Sequence, residues 1–304
     1  MERTIDLRGD RRRRRREAAI RRAFLASAAV SIVVSAAIVL TLIGQAVTFL
    51  LEVELGQLWE VGWFPRRGLY DLRTILAGTV LVAALAMLVA TPLGLGAAVY
   101  LSEYADRRIR RALKPSLEVL AGIPSVVLGF FALTWISPNV INRLFQDAAI
   151  FNLGAAGIGV GILVTPLVAS ISEDALRAVP GELREASYGL GARKRTTTLR
   201  VVFPAAISGV MASLIVGLAR AIGETMVVAI AAGATGGSLL TWDITQPGQT
   251  MTAAMAALAI GSDQVRGADA TFQSLFFVGL LLFLMTLALT TLSNRFVRRV
   301  RQRY

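Results

Sequence analysis

Uncharged apolar runs alternate with short arginine-bearing segments from residue 23 almost to the C-terminus. Six runs read as spans, at approximately 23–50, 74–101, 116–137, 153–172, 205–234 and 272–293. About 20 apolar residues in helical form cross the hydrocarbon core of a bilayer, so the pattern predicts an all-α integral membrane protein with six transmembrane helices. The first run stays uncharged from Ala23 to Leu51. That exceeds the roughly 7–15-residue apolar segment of a cleavable signal. "RRAFLA" at its start resembles a twin-arginine export signal, but the long run and the five behind it favour an uncleaved anchor. The resulting division is an Arg-rich N-terminal segment (1–22), a six-span domain (23–294) with a long polar loop (173–204), and a basic tail (295–304).

Charge sets the orientation. The net charge of +12 would suggest nucleic acid in a soluble chain. Here 30 of the 32 basic residues are Arg, and most of them flank apolar runs. Four segments on one side hold ten, five, six and five basic residues: the N-terminus, 102–115, 173–204 and the tail. The opposite loops hold three in 51–73, one in 138–152 and one in 235–271. Basic loops stay cytoplasmic, so both termini are expected in the cytoplasm, with membrane lipid and not nucleic acid as the surroundings; the bacterial cytoplasmic membrane is the expected location. Trp59, Trp63 and Tyr70 share the first outer loop. They read equally as interfacial anchors or as solvated side chains.

Absences narrow the chemistry. The chain has no His and no Cys, which removes imidazole and thiolate nucleophiles and most transition-metal sites. Neither of its two lysines, Lys114 and Lys194, follows a glycine, so it has no Walker A loop and no ATPase of that kind. No catalytic residue, cofactor or metal is expected. Gly and Pro are frequent in "ATPLGLGAAVYL", "AGIPSVVLGFF" and "NLGAAGIGVGILVTPLV". Small residues let helices approach closely, the favoured explanation; bends around a pathway at Pro92, Pro124 and Pro166 are the alternative.

Two stretches carry candidate function. In the loop 173–204, Pro180, Glu182 and Glu185 suit a helix start, and Gly189 and Gly191 suit its stop. A short helix over Pro180–Tyr188 follows, outside the membrane, with Thr196 to Thr198 starting another and Pro204 opening the fifth span. In "GLARAIGETMVVAIAAGA", Arg220 lies near the middle of the fifth run, and Glu224 lies about 6 Å further along one continuous helix. An Arg at mid-span costs about 2.5–3.5 kcal/mol on insertion scales, so it should face protein or water. An internally neutralised lock between helices is one explanation. Arg before Glu is the less favourable i, i+4 order, so each side chain is expected to look partly to other helices or to the conduit.

The spacing of Glu185-Ala186-Ser187, Gly191 and Val201-Val202-Phe203-Pro204 resembles the EAA loop of ABC-importer permeases. Ser replaces the second Ala of that pattern, and Val and Phe replace its Ile and Leu. "PLGLGAAVYLSEYADRRIRRALKPSLEVLAGIPSVVLGFFAL", "EDALRAVPGELREASYGLGA" and "GLARAIGETMVVAIAAG" resemble the PstC-type branch, over approximately residues 70–294. The resemblance implies a type I importer permease fold (MetI-like), with a peripheral first helix and a five-helix core. It implies phosphate as substrate, a PstA-like sister permease, two PstB-like ATPases and an extracytoplasmic PstS-like binding protein. Glu185, Ala186, Ser187, Gly191 and Pro204 would then couple to the ATPase. Arg220 would offer phosphate a transient site, and Glu224 would hold Arg220 and limit that attraction. Another oxyanion, molybdate or sulfate, and a non-transporting scaffold remain the alternatives; a scaffold has little use for charges at depth.

Overall fold

The computed structural model describes residues 11–60, 62–233, 236–260 and 269–300. Residues 1–10 of the Arg-rich segment and 301–304 of the tail therefore lie outside the described residues. Helix α1 (Arg11–Glu52) runs unbroken out of the arginine cluster into the first apolar run. It is exposed along most of its length and packs chiefly on α11 (Asp269–Val300), as a peripheral first helix should. Phe49 near its end is fully buried, its ring centroid 5.1 Å from those of Tyr70 and Phe277.

The core is built from α2 (Leu72–Tyr104), α4 (Ser125–Leu144), α5 (Leu153–Arg177), α8 (Ile207–Ile222) and α9 (Met226–Ala231). Among the described residues five helices are long and apolar enough to cross a membrane, and a bent pair, α7 (Lys194–Ala205) with α8, makes a sixth when counted as one span. Glycines bring α2 and α5 together: a Cβ on Gly157 would stand 2.6 Å from Leu85 Cβ, and one on Gly161 2.7 Å from Val89 Cβ. Close packing, the favoured account of these small residues, is what they do. Pro92 and Pro166 lie inside α2 and α5, and both helices continue through them.

Three expectations need correction. The third span starts later than residue 116, because α3 (Arg107–Ala121) is a separate helix with no buried residue. Pro124 disfavours helical conformation at Ile123 and breaks the chain before α4. In the first outer loop, Trp63 and Tyr70 are neither interfacial nor solvated. They pair across a two-stranded hairpin, β1 (Trp63–Phe64) and β2 (Leu69–Tyr70), and bury against Phe49 and Leu72; Trp59 is exposed. The stretch 235–271, expected as a loop, contains α10 (Met251–Ala259), whose Met251, Ala254 and Leu258 pack into the same cluster. Nine residues rise only about 13 Å, too short to cross, so α10 fills space between spans instead.

Candidate functional site at the broken fifth span

The fifth run is not one helix over 205–234. The pair α7–α8 bends by 71° at Ala206, so Pro204 closes α7 instead of opening the span. Helix α8 then ends at Ile222, and α9 begins at Met226. Between them the Glu224 side chain competes for backbone donors: Met226 and Val227 N–H donate to Oε1 at 3.2 and 3.4 Å. A carboxylate that satisfies the first free N–H groups of a helix stabilises a start there. The Thr252 hydroxyl of α10 donates to the Glu224 carbonyl at 2.8 Å, which fixes the break against the neighbouring helix. Thr79 of α2 accepts the Met251 N–H at 2.9 Å and so anchors α10 itself.

This geometry reverses the objection to the order of the pair. Arg220 occupies the last turn of α8, where cations are favourable, and Glu224 stands at the first N–H groups of α9, where anions are. Arg220 Nη1 lies 3.2 Å from Glu224 Oε2, so the two residues do pair. Their surroundings differ. Glu224 is 3% exposed and the Arg220 side chain 49%. Among the described residues Arg220 has no second acceptor, so its other guanidinium donors are presented outward. Beyond the pair, Glu224 accepts from the backbone of α9 and Arg220 keeps an exposed edge. By helical rise Arg220 lies about 20 Å from Ile207.

A cavity of about 350 Å³ adjoins the break through Met226. Ala229, Gly248 and Ala253 line it, with Arg66 and Gln249 as polar members; it contains neither Arg220 nor Glu224. Sequence pattern did not single out Thr79 or Thr252. Lone threonines in apolar runs carry no periodic signal.

The other predicted residues gather where α5 leaves the bundle. Helix α6 (Gly181–Gly189) forms as expected, with Pro180 just before it rather than inside it. Its end is a Schellman motif: Gly191 N–H donates to Tyr188 O at 2.9 Å and Ala192 N–H to Ser187 O at 3.1 Å. Gly191 holds φ +75°, which any other L-residue adopts at a cost. The Ser187 hydroxyl lies 2.9 Å from that of Thr197, tying α6 to α7. Arg184 clamps α6 to the core through Glu103 (2.8 Å) and the carbonyls of Leu176 (2.8 Å) and Val179 (2.7 Å). Glu182, Glu185 and Ala186 stay exposed, and Leu190 is 90% exposed. The result is a rigidly held helix with a free outer face. Pro204 is exposed but belongs to α7. Sequence reasoning missed the Arg184–Glu103 clamp, because its partners are far apart in the chain. Among the described residues no group of three potential ligands is arranged for a metal ion.

Comparison with known proteins gives a consistent picture. Residues 90–304 match the family described as binding-protein-dependent transport system inner membrane component. The chain is 31% identical over 264 residues to the phosphate transport system permease protein PstC of Xylella fastidiosa strain 9a5c, covering 80% of this chain and 78% of that one. It is 40% identical over 159 residues to the phosphate transport system permease protein PstA 1 of Mycobacterium tuberculosis strain CDC 1551 / Oshkosh, covering 52% of this chain and 50% of that one. Among solved structures, a chain of a bacterial ABC transporter involved in the import of the acidic polysaccharide alginate superposes with a TM-score of 0.60 at 14% identity. That match covers 95% of this chain and 100% of the other, and at this identity it speaks for the fold alone.

Proposed function

We propose a specific role from the premise that the chain belongs to the binding-protein-dependent transport system inner membrane component family. It is the PstC-type permease subunit of an ATP-driven importer and, with a PstA-like sister permease, forms the path of inorganic phosphate into the cytoplasm. Two PstB-like ATPases supply the energy, and a PstS-like protein delivers phosphate from outside. The observation that carries the pathway assignment is the half-exposed Arg220 at the end of a broken span, paired with a buried Glu224. Such a cation attracts an oxyanion, while its fixed counter-charge keeps the attraction weak enough for release. Support for phosphate in particular comes from the names of the relatives that match four-fifths of the chain.

Reconstitution with candidate sister permease, ATPase and binding protein tests the reading through uptake of labelled phosphate, with sulfate and molybdate as competitors. Uptake displaced by molybdate or sulfate at lower concentration than by phosphate reassigns the substrate. An assembly that forms but moves none of the three leaves a scaffold.

Orientation has its own test. Lys194 is expected in the cytoplasm and Trp242, 62% exposed, on the other side. The chain has no cysteine, so single-cysteine variants report cleanly. An impermeant thiol reagent added to intact cells should label position 242 and not 194; the converse inverts the topology.

Energy reaches the spans through α6 in this reading. Gly191→Val forces a β-branched residue into a left-handed conformation, with a strain of about 1–3 kcal/mol. A Cβ there meets nothing within 4 Å, so the effect is confined to the backbone of the stop. Glu185→Lys reverses charge on the exposed face. Both variants should insert normally yet lose ATPase association or phosphate uptake. Wild-type levels of both activities would make α6 an ordinary connector.

A further inference from the structure

Where α3 meets the end of α5, the molecule collects charge used neither by the helix break nor by α6. Glu173 is completely buried there. Arg110 Nη2 lies 2.7 Å from its Oε1 and Lys114 Nζ 2.7 Å from its Oε2; Lys114 also lies 2.6 Å from Asp174 Oδ1. Hydrogen bonds to Asp174 and Glu173 hold the Lys114 ammonium above its usual range, so it stays a cation at neutral pH. These pairs bolt α3 to α5. A bolt requires no more cations than that, yet the face carries more.

An open cavity of about 470 Å³ lies beside the pairs, walled by Arg107, Arg110, Arg111, Lys114, Glu118 and Arg177. Five cations thus face three carboxylates, Glu118, Glu173 and Asp174, which leaves two positive charges in excess. Arg107 and Arg111 form no ion pair among the described residues. On α3 the positions 107, 110, 111, 114 and 118 share one face at helical spacing. The opposite face presents Ile109, Leu113 and Leu120, exposed by 42%, 41% and 47%. A helix with a basic face and an apolar face suits the boundary between membrane and water. The cavity therefore collects uncompensated guanidinium groups, whose fork geometry matches phosphate oxygens, on a helix whose opposite face is apolar.

We propose that this cavity binds a phosphate group, supplied by the headgroup of an anionic phospholipid lying along α3 or by free inorganic phosphate in the adjoining water. Arg107 and Arg111 make the contacts, and Arg110 and Lys114, held by Glu173, fix the floor. The variant Arg107→Gln/Arg111→Gln tests this without touching the Glu173 pairs, so α3 stays docked. Arg193→Gln/Arg195→Gln removes the same charge from exposed positions elsewhere in the 173–204 loop.

In one arm, the full-length chain in neutral detergent receives phosphatidylglycerol or phosphatidylcholine, and retained lipid is counted by native mass spectrometry. In the other, inorganic phosphate is titrated without lipid and the thermal unfolding midpoint is followed. A headgroup site predicts retention of phosphatidylglycerol that the α3 variant weakens about tenfold or more and the control variant leaves near wild type. A free-phosphate site predicts a rise in the midpoint with phosphate that the α3 variant alone abolishes. The proposal fails if the α3 variant matches wild type in both arms, if neither probe binds, or if the control variant loses as much as the α3 variant. Both arms read binding and not uptake, so the result stands apart from the translocation assignment.

Discussion

Arg220→Gln is expected to lower phosphate uptake by the reconstituted transporter at least about tenfold, while membrane insertion and ATPase association stay at wild-type levels. Hydrogen bonds to a charged group contribute about 1.5–3 kcal/mol, which corresponds to about ten- to a hundredfold. Glu224→Gln is expected to impair uptake by a different route. Its amide oxygen still accepts the N–H groups of Met226 and Val227, so the helix break persists, but Arg220 loses its counter-charge. Phosphate should then be held longer, with slower release.

The decisive variant follows from the broken helix. Exchanging the two charges would set Arg against the N–H groups of α9 and Glu at the end of α8, so its failure would say nothing about substrate. Arg220→Gln/Glu224→Gln avoids this, because it removes both charges and keeps an acceptor at position 224. A purely structural lock predicts near-normal uptake in the double variant, since no unpaired charge remains. Contact between Arg220 and phosphate predicts a loss as deep as in Arg220→Gln alone. Near-normal uptake in the double variant would remove Arg220 from the pathway.

The second large effect is on the scaffold. Gly161→Val drives α2 from α5: the new Cβ would stand 2.7 Å from Val89 Cβ and 2.9 Å from the Ala86 carbonyl. Overpacking in a close interface costs about 1–3 kcal/mol, and backbone contacts leave little room for relief. The unfolding midpoint in detergent should fall sharply, and less folded protein should survive size-exclusion chromatography. Gly96→Val is the matched control, because nothing lies within 4 Å of a Cβ there. Equal behaviour of the two variants would show that α2 and α5 tolerate separation.

Features that depend on local composition could be read from the residues alone. Apolar run length marked where four of the six spans lie, to within a few residues at most of their ends; the third begins only at Ser125 and the fifth is broken. Gly191 marked the stop of α6, because a left-handed residue is a single-position requirement of the backbone. Arg220 and Glu224 stood out because ionisable groups are rare in apolar runs.

Tertiary structure decided whatever rests on competition between distant groups. Hydropathy reads Gly223 to Thr225 as part of a continuous helix, since nothing in composition says that the Glu224 carboxylate will take the N–H groups of α9 or that Thr252 will hold its carbonyl. Trp63 and Tyr70 are amphipathic and fit an interface, a solvated loop or a core equally well. The seat offered by Phe49 and Leu72 made them core. Residues 116–121 are apolar enough to extend a span, but the pull of Glu173 and Asp174 on Arg110 and Lys114 keeps α3 outside the bundle. Periodicity reports what a segment can bury; the partner that buries it lies elsewhere in the chain.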